Sequence, residues 1–412
     1  MEEFLLSCQR AVKMIHDTAS FHVVLGNEAC DLDSMVSALV YAYFLFKTAG
    51  SDAHVLPVMN IRQSELLLRS DSLHLLTRAR LSPQHLLFRD QVDLRELQTQ
   101  GRLTLTLVDH NVLPSSDADL EGAVVEVIDH HLLERQPSPS CCVTVEMVGS
   151  CATLVTGRII QRAPSILDQQ VAELLYAAVV LDCVNMSPAA GKVTHKDSHV
   201  ISVLETQFPG LPPRGALFTE LQDAKFNVTG LNSEQMLLKD MKVVTGSVKV
   251  AVCVLYVTLE EFFQRAGLEV ELESFCQKLS CDLLLLMSIT FTESKEPIRE
   301  LAVFSLSHAF RKQISQYLMD ARQPELSLRP ISSPHPHISA YEQGNTLASR
   351  KKLLPLVKSF LKEISYDGEE EEYDERAGPP TPMNSLVDGC PLDHGVRVQD
   401  LQDHITRMTS DP

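Results

Sequence analysis

Four short segments of this 412-residue chain set carboxylates and imidazoles where strands or helices should end. Asp31 and Asp33 follow HVVLG (His22–Gly26), and Asp109 closes LTLTLVD (Leu103–Asp109). Asp129, His130 and His131 close AVVEVID (Ala123–Asp129), and Asp182 ends the apolar run LLYAAVVL. Ligands of open α/β sheets bind beyond the carboxyl ends of the strands, so these groups are expected to converge on one rim. Like charges gathered there repel strongly unless cations neutralise them. Hard carboxylate oxygens with one or two imidazoles suit two divalent cations, Mn²⁺ or Mg²⁺, better than a thiolate-loving metal. Such cations can activate a water.

Each residue alone has a plainer reading. Asp33 before Ser34 suits a helix N-cap. A single Asp at a strand end is more often a turn residue than a ligand. The pair His130–His131 could serve packing, and Asp182 could be a polar helix terminus. A DxD after the first strand, DHN after a middle strand and DHH after the next are together hard to assemble by chance.

The elements that must position these groups alternate. Expected strands are His22–Gly26, Ala53–Met59, Leu103–Asp109, Ala123–Asp129 and Cys142–Val148. Expected helices are Asp33–Lys47, Gln63–Arg80, Ser150–Arg162 and Asp168–Leu181. That alternation predicts an α/β fold with a doubly wound, mainly parallel sheet. Pro and Gly density over 191–215 reads as a linker. Beyond it, Val248–Val257, Cys281–Ile289 and Leu301–Leu306 read as strands. Leu259–Lys278, Ala309–Arg322 and Lys351–Lys362 read as helices of a smaller α/β domain. The expected boundaries are 1–190, 191–215, 216–366 and 367–412. The last segment, with DGEEEEYDERAGPPTP, reads as a disordered acidic tail. A short amphipathic helix is expected near Val396–Met408.

Bulk properties narrow the function. The formal net charge of −18 argues against non-specific nucleic-acid binding, which needs a basic face. Ten cysteines form no CxxC pair and no zinc spacing. No signal-peptide core and no apolar run of about 18 residues is present, so an intracellular, non-membrane protein is expected. No GxxxxGK[ST], no GxGxxG after the first strand and no serine nucleophile elbow occurs.

The segments GNEACDLDS, Asp109-His110-Asn111, Asp129-His130-His131 and Leu181-Asp182 resemble the four motifs of the DHH phosphoesterases. Ser349-Arg350-Lys351-Lys352 resembles the signature of the DHHA2 domain of family II inorganic pyrophosphatases and eukaryotic exopolyphosphatases. VEMVGSCATL, LDCVNM, GNTLASRKKLLP and PPTPMNSLVDGCPLD further resemble one vertebrate branch of that family.

The resemblance implies a fold in which the site lies in the cleft between a DHH and a DHHA2 domain. It implies Asp31 on a first metal, Asp33 on a second and Asp109 bridging both. His130 and Asp182 would complete the ligands of the second metal, and His131 would face the substrate. Arg350, Lys351 and Lys242 would bind phosphate, with Lys225 and Lys239 as nearby competitors of Lys242. Pyrophosphatases carry histidine where Asn27 stands here. An amide oxygen is the weaker ligand, so a looser first metal, slower turnover and a drift toward Mg²⁺ are expected. The exopolyphosphatase branch shares this Asn. At Asp109 that branch more often reads DHH, so DHN here stands closer to the pyrophosphatases.

The function implied is hydrolysis of short-chain polyphosphate or of cyclic nucleotides such as cAMP. The alternative is a regulatory scaffold that binds partners through its tail, where Thr381-Pro382 suits phosphorylation. The resemblance names nucleoside diphosphate kinase as such a partner. It also implies a cytoplasmic location that can extend to the nucleus, and a homo-oligomer is a further expectation, with no oligomeric state fixed by the sequence.

Overall fold

The computed structural model describes residues 1–13, 19–48, 50, 53–136, 138–292, 294 and 296–364. The chain divides into two compact units, Met1–Phe226 and the part that begins at Asn227.

The first unit is built on six strands: β1 (Phe21–Leu25), β2 (His54–Met59), β3 (Leu87–Phe88), β4 (Leu103–Val108), β5 (Val124–Asp129) and β6 (Cys142–Val145). Their order is β3-β2-β1-β4-β5-β6, and every pairing is parallel. Strands covered on both faces read as unbroken aliphatic runs. Accordingly Val23, Val24, Leu25, Leu105, Leu107, Val108, Val127 and Ile128 are all sealed from solvent. Phe21 pairs with His54 on one side and with Leu103 on the other. The winding reverses between β1 and β4, and a crevice opens at the carboxyl ends of such a strand pair. The residues that leave β1, β4 and β5 there are Asn27–Asp33, Asp109–Asn111 and His130–His131.

Among the described residues the unit also holds eight α-helices, α1 (Glu2–Lys13), α2 (Leu32–Thr48), α3 (Ser70–Arg78), α4 (Leu94–Thr99), α5 (Cys151–Arg162), α6 (Gln169–Asp182), α7 (His195–Gln207) and α8 (Arg214–Phe226), with α1, α2, α4 and α5 packed on the strands. Helices α2, α5 and α6 pack on one another. Nearly every residue of α2 up to Ala42, and of α6 from Val171 onward, is buried. Helices without a polar face need such a position.

The reading of 191–215 as a linker is wrong. Thr194 and Asp197 form a capping box that starts α7. Pro212 and Pro213 lie just ahead of α8, where proline is compatible with helix initiation. The unit boundary falls after Phe226 instead. The expected helix over 63–80 is split at Arg69 (φ −101°, ψ 60°) into a 3₁₀ turn and α3.

The second unit holds β7 (Met241–Thr245), β8 (Lys249–Leu255), β9 (Leu283–Phe291), β10 (Pro297–Phe304), β11 (Leu328–Ile331) and β12 (Ile338–Gln343). The order is β11-β12-β10-β9-β8-β7, with β8 and β9 parallel and all other neighbours antiparallel. Helices α9 (Ser233–Lys239), α10 (Leu259–Phe263), α11 (Leu268–Leu279), α12 (His308–Asp320) and α13 (Arg350–Ile364) accompany it. The expected helix over 259–278 breaks at Gly267, whose φ of +73° only glycine adopts freely. Leu284, Leu286, Phe262, Leu272 and Phe304 centre its core.

The expected tail over 367–412, the helix near 396–408 and Thr381 lie outside the described residues. Among those described, no helix is long and apolar enough to cross a membrane. Limited trypsin digestion is expected to spare the bond after Lys196, inside α7. Rapid cleavage there in the native protein would restore the linker reading.

Candidate metal centre

The loop after β1 is held from several sides. Gly26 has no room for a side chain, since a Cβ would lie 2.4 Å from the Ser34 hydroxyl. That hydroxyl accepts from the Asn27 N–H at 2.7 Å. Asn60 Nδ2 donates to the Gly26 carbonyl (3.0 Å), and buried Arg69 donates through Nε to the Ala29 carbonyl (2.8 Å). Cys30 takes a left-handed φ of 46°.

The loop ends in two capping carboxylates. Asp31 Oδ1 accepts from the Ser34 N–H at 3.1 Å and caps α2. The cap residue is therefore Asp31, not Asp33. Asp33 reaches 118 residues along the chain to α5, where the Cys151 N–H donates to Oδ2 (2.6 Å) and the Ala152 N–H to Oδ1 (2.8 Å). Ser150, at the N-cap of α5, makes no side-chain cap bond of its own. Asp33 supplies it, so a fully buried carboxyl group sits on the helix N-terminus.

Asp109 follows β4 with a φ of 62°, a left-handed conformation that costs a non-glycine residue about 1–2 kcal/mol. Asn27 Nδ2 donates to its Oδ2 at 2.8 Å, and Asn27 Oδ1 accepts from the Cys30 N–H at 2.9 Å. Asn27 had been expected as a metal ligand. Here its amide oxygen, the atom that could ligate, is engaged by backbone, and its nitrogen holds Asp109.

Two histidines leave β5 differently. His130 Nδ1 bonds the Val148 carbonyl at 3.0 Å, which makes that nitrogen the donor and turns Nε2 inward. Nε2 lies 3.1 Å from Asp109 Oδ1 and 3.7 Å from Asp33 Oδ2. Neither Nε2 nor Asp109 Oδ1, both buried, has an aligned hydrogen bond. His131 Nδ1 bonds Asp129 Oδ1 at 2.8 Å and lies 3.9 Å from Asp109 Oδ1, with its ring partly exposed. Asp129 Oδ1 also accepts from the His130 N–H, and Oδ2 from Asn111 Nδ2 at 2.6 Å. Asn111 Oδ1 accepts from the N–H groups of Glu134 and Arg135, so the DHN motif anchors the loop of the DHH motif.

Asp182 ends α6, buried. Beyond it Val184, Asn185 and Met186 are all left-handed, with φ of 48°, 55° and 58°. The tight turn closes through the Asn185 N–H on the Val180 carbonyl (2.8 Å).

The electrostatics follow from burial and crowding. Burial, then the charge of Asp33, raises the pKa of Asp31 and holds that of Asp109 well above the usual range. Burial, then the charges of Asp33 and Asp31, does the same to Asp182. Burial would depress His130, but the Asp109 carboxylate 3.1 Å from Nε2 and the charge of Asp33 outweigh it and lift it to about 11. His131 is raised first by its bond to Asp129. Burial opposes ionisation of Asp129, yet hydrogen bonds from His131, Asn111 and the His130 N–H carry it down to about 2.

The donor set fits a divalent cation. Ligand atoms of Asp109, His130 and His131 lie within 4.8 Å of one another. Asp33 reaches His130, and Asp31 and Asp182 join through their mutual fields. Mutually repelling buried carboxylates beside an inward imidazole nitrogen are the setting a cation would stabilise. Asn111 and Asp129, which fix the histidine loop, were read from the sequence as members of the DHN and DHH motifs but given no role of their own. The offset between DHN and DHH could have signalled them.

The expected phosphate-binding residues lie in the second unit. Arg350 is buried, its Nη1 at 2.5 Å from Asp240 Oδ1, and the Tyr256 hydroxyl donates to Asp240 Oδ2 at 2.9 Å. Lys351 follows Arg350 in the first turn of α13, and Lys242 lies on β7. Lys225 lies in the first unit, buried on α8, where its charge lowers the pKa of Asp31.

Comparison with known proteins agrees with these motifs. Residues 22–179 match the DHH family, N-terminal domain, and residues 219–360 match the DHHA2 domain. Exopolyphosphatase PRUNE1 of Bos taurus is 47% identical, covering 96% of this chain and 94% of that protein. A putative exopolyphosphatase of Schizosaccharomyces pombe is 28% identical over 85% of this chain and 94% of its own. The crystal structure of a Methanococcus jannaschii putative family II inorganic pyrophosphatase aligns at 18% identity with a TM-score of 0.46, covering 83% of this chain and 99% of that one.

Two outcomes are expected. Raised folded-state pKa values at Asp31, Asp109, Asp182 and His130 favour the metal-free fold at low pH. That stability is complete below the ordinary values and is lost as pH rises through the raised ones. Asp129, depressed to about 2, loses its contribution only as pH falls toward that value and does not oppose the trend near neutrality. The Tm of metal-free protein should therefore fall from pH 5 to pH 8, Mn²⁺ should restore it, and calorimetry should record proton release on binding. A flat Tm with no proton release would contradict the crowded site. Secondly, Arg350→Met should destabilise the second unit by about 3–5 kcal/mol by leaving Asp240 buried and unpaired. Asp240→Asn in the same chain should recover part of the loss in denaturant unfolding.

Proposed function

The chain belongs to the DHH family, with a DHHA2 domain following, and from that premise we propose that it hydrolyses phosphoanhydride bonds of short-chain polyphosphate at this centre with two divalent cations. It is a metal-dependent hydrolase. One observation carries the assignment: buried carboxylates that raise one another's pKa enclose an inward-turned imidazole nitrogen and a carboxylate oxygen, both without aligned partners. Relatives that bear the name exopolyphosphatase support the substrate. When bound, the cations would lower the pKa of a water and neutralise phosphoryl charge.

The chain's own groups do the rest. Asp31, Asp33, Asp109, Asp182 and His130 would hold the cations. Asn27 fixes the Asp109 carboxylate through Oδ2 and leaves Oδ1 inward. The Val148 carbonyl holds the Nδ1 proton of His130 in a hydrogen bond, so Nε2 is the nitrogen that would ligate a cation once the cation displaces its proton. Asp129 stabilises the His131 imidazolium, which can give its Nε2 proton to a leaving phosphate oxygen. Arg350, Lys351 and Lys242 are assigned to phosphate binding. Phosphodiesters such as cAMP fall under the same proposal, since the centre acts on a phosphoryl group.

Phosphate release from short-chain polyphosphate tests the assignment. Asp109→Asn is expected to abolish Mg²⁺- or Mn²⁺-dependent release, and His131→Gln to lower kcat by roughly 10²-fold, the lower range for a general acid. Full activity of Asp109→Asn would place the chemistry elsewhere.

A further inference from the structure

The five residues Val148–Ala152 form a turn that touches two expected metal ligands. The Val148 carbonyl accepts a hydrogen bond from His130 Nδ1. The N–H groups of Cys151 and Ala152 hold both oxygens of Asp33. The orientation of a histidine from β5 and of an aspartate from α2 thus depends on where this turn sits.

A single buried side chain anchors the turn from behind. Asp197, on α7, has no solvent exposure. Its Oδ2 accepts from the Thr194 N–H (2.7 Å) and hydroxyl (2.6 Å), which completes the cap of α7. That cap asks nothing more of it. Yet Oδ1 accepts from the Thr153 hydroxyl at 2.6 Å, and the Gly149 N–H donates to both oxygens at 3.1 and 3.0 Å. Gly149 leaves no room for a side chain: a Cβ there would lie 2.3 Å from Cys183 Sγ, one residue beyond Asp182, and 3.2 Å from Asp197 Oδ2. The backbone of the turn is therefore packed directly against both Asp197 and the residue that follows α6.

We propose that Asp197 is a positioning residue of the metal centre, which holds the Val148–Ala152 turn in the place where it orients His130 and Asp33. The proposal rests on the metal-centre reading above. Partners behind metal ligands typically change metal affinity by about 10–100-fold when removed. Asp197→Asn keeps the shape but replaces acceptor capacity with an NH₂ group that faces N–H donors. Thr153→Val removes one of the bonds and leaves the carboxylate.

The test is calorimetric titration of Mn²⁺ into the metal-free full chain, alongside thermal unfolding. The control is Asp93→Ala, which removes the cap of α4 far along the chain from this turn. Expected are ~10–100-fold weaker binding by Asp197→Asn, a smaller loss in the same direction by Thr153→Val, and unchanged affinity in the control despite its lowered Tm. Lowered Tm with unchanged Mn²⁺ affinity in Asp197→Asn would overturn the proposal and leave Asp197 a helix cap only. If circular dichroism shows Asp197→Asn unfolded, Thr153→Val decides, and wild-type affinity in it overturns the proposal. Absence of Mn²⁺ binding by the wild type would instead overturn the metal-centre reading.

Discussion

Crowded negative charge sealed from water governs the first unit. Asp31, Asp33, Asp109 and Asp182 come from three places in the chain and sit at 8% exposure or less. Asp31, Asp109 and Asp182 would shed a proton easily in water, and burial beside neighbouring negative charge opposes that here. Asp33 escapes part of that conflict because two backbone N–H groups at the start of α5 meet it. The remainder is left for a proton on His130 or for a cation. Much of the neighbouring architecture serves to keep the charges close, and no single contact in it is expected to be strongly stabilising.

That architecture is a property of the sheet order. Because the winding reverses beside β1, the loops after β1 and β4 part there, and β5 delivers its histidines next door. Backbone in uncommon conformations completes the convergence. Asp109 is left-handed, and so are the three residues from Val184 to Met186 that follow Asp182. Strain of this kind persists where surrounding structure over-determines it, and it concentrates at functional sites. Here Asn27 and the 2.9 Å bond from the Asp109 N–H to the Ile128 carbonyl supply that determination for Asp109.

Much of this was legible in the sequence, for a physical reason. Strands buried on both faces must be aliphatic, so HVVLG, LTLTLV and AVVEVI announce themselves, and the acids that follow stand out. What stayed hidden depends on long-range contact. Nothing local reveals that Asp33 caps a helix 118 residues away or that Asn27 turns its nitrogen to Asp109. Asp197 lay inside a stretch read as linker, although Thr194 and Asp197 carry a capping-box spacing that a reading less swayed by Pro and Gly would have weighed. In the second unit β7, β11 and β12 escaped notice because they are short, and only partly covered strands lack a strong apolar run. The SRKK segment was plain to see, but the burial of Arg350 against Asp240 was not.

The central claim is that this cluster of carboxylates exists to hold cations. Anomalous scattering from crystals grown with Mn²⁺, recorded at the manganese edge, tests it most directly. The account predicts two peaks enclosed by Asp31, Asp33, Asp109, Asp182 and His130. Absence of any peak there, with manganese only on exposed acidic surface, would contradict it.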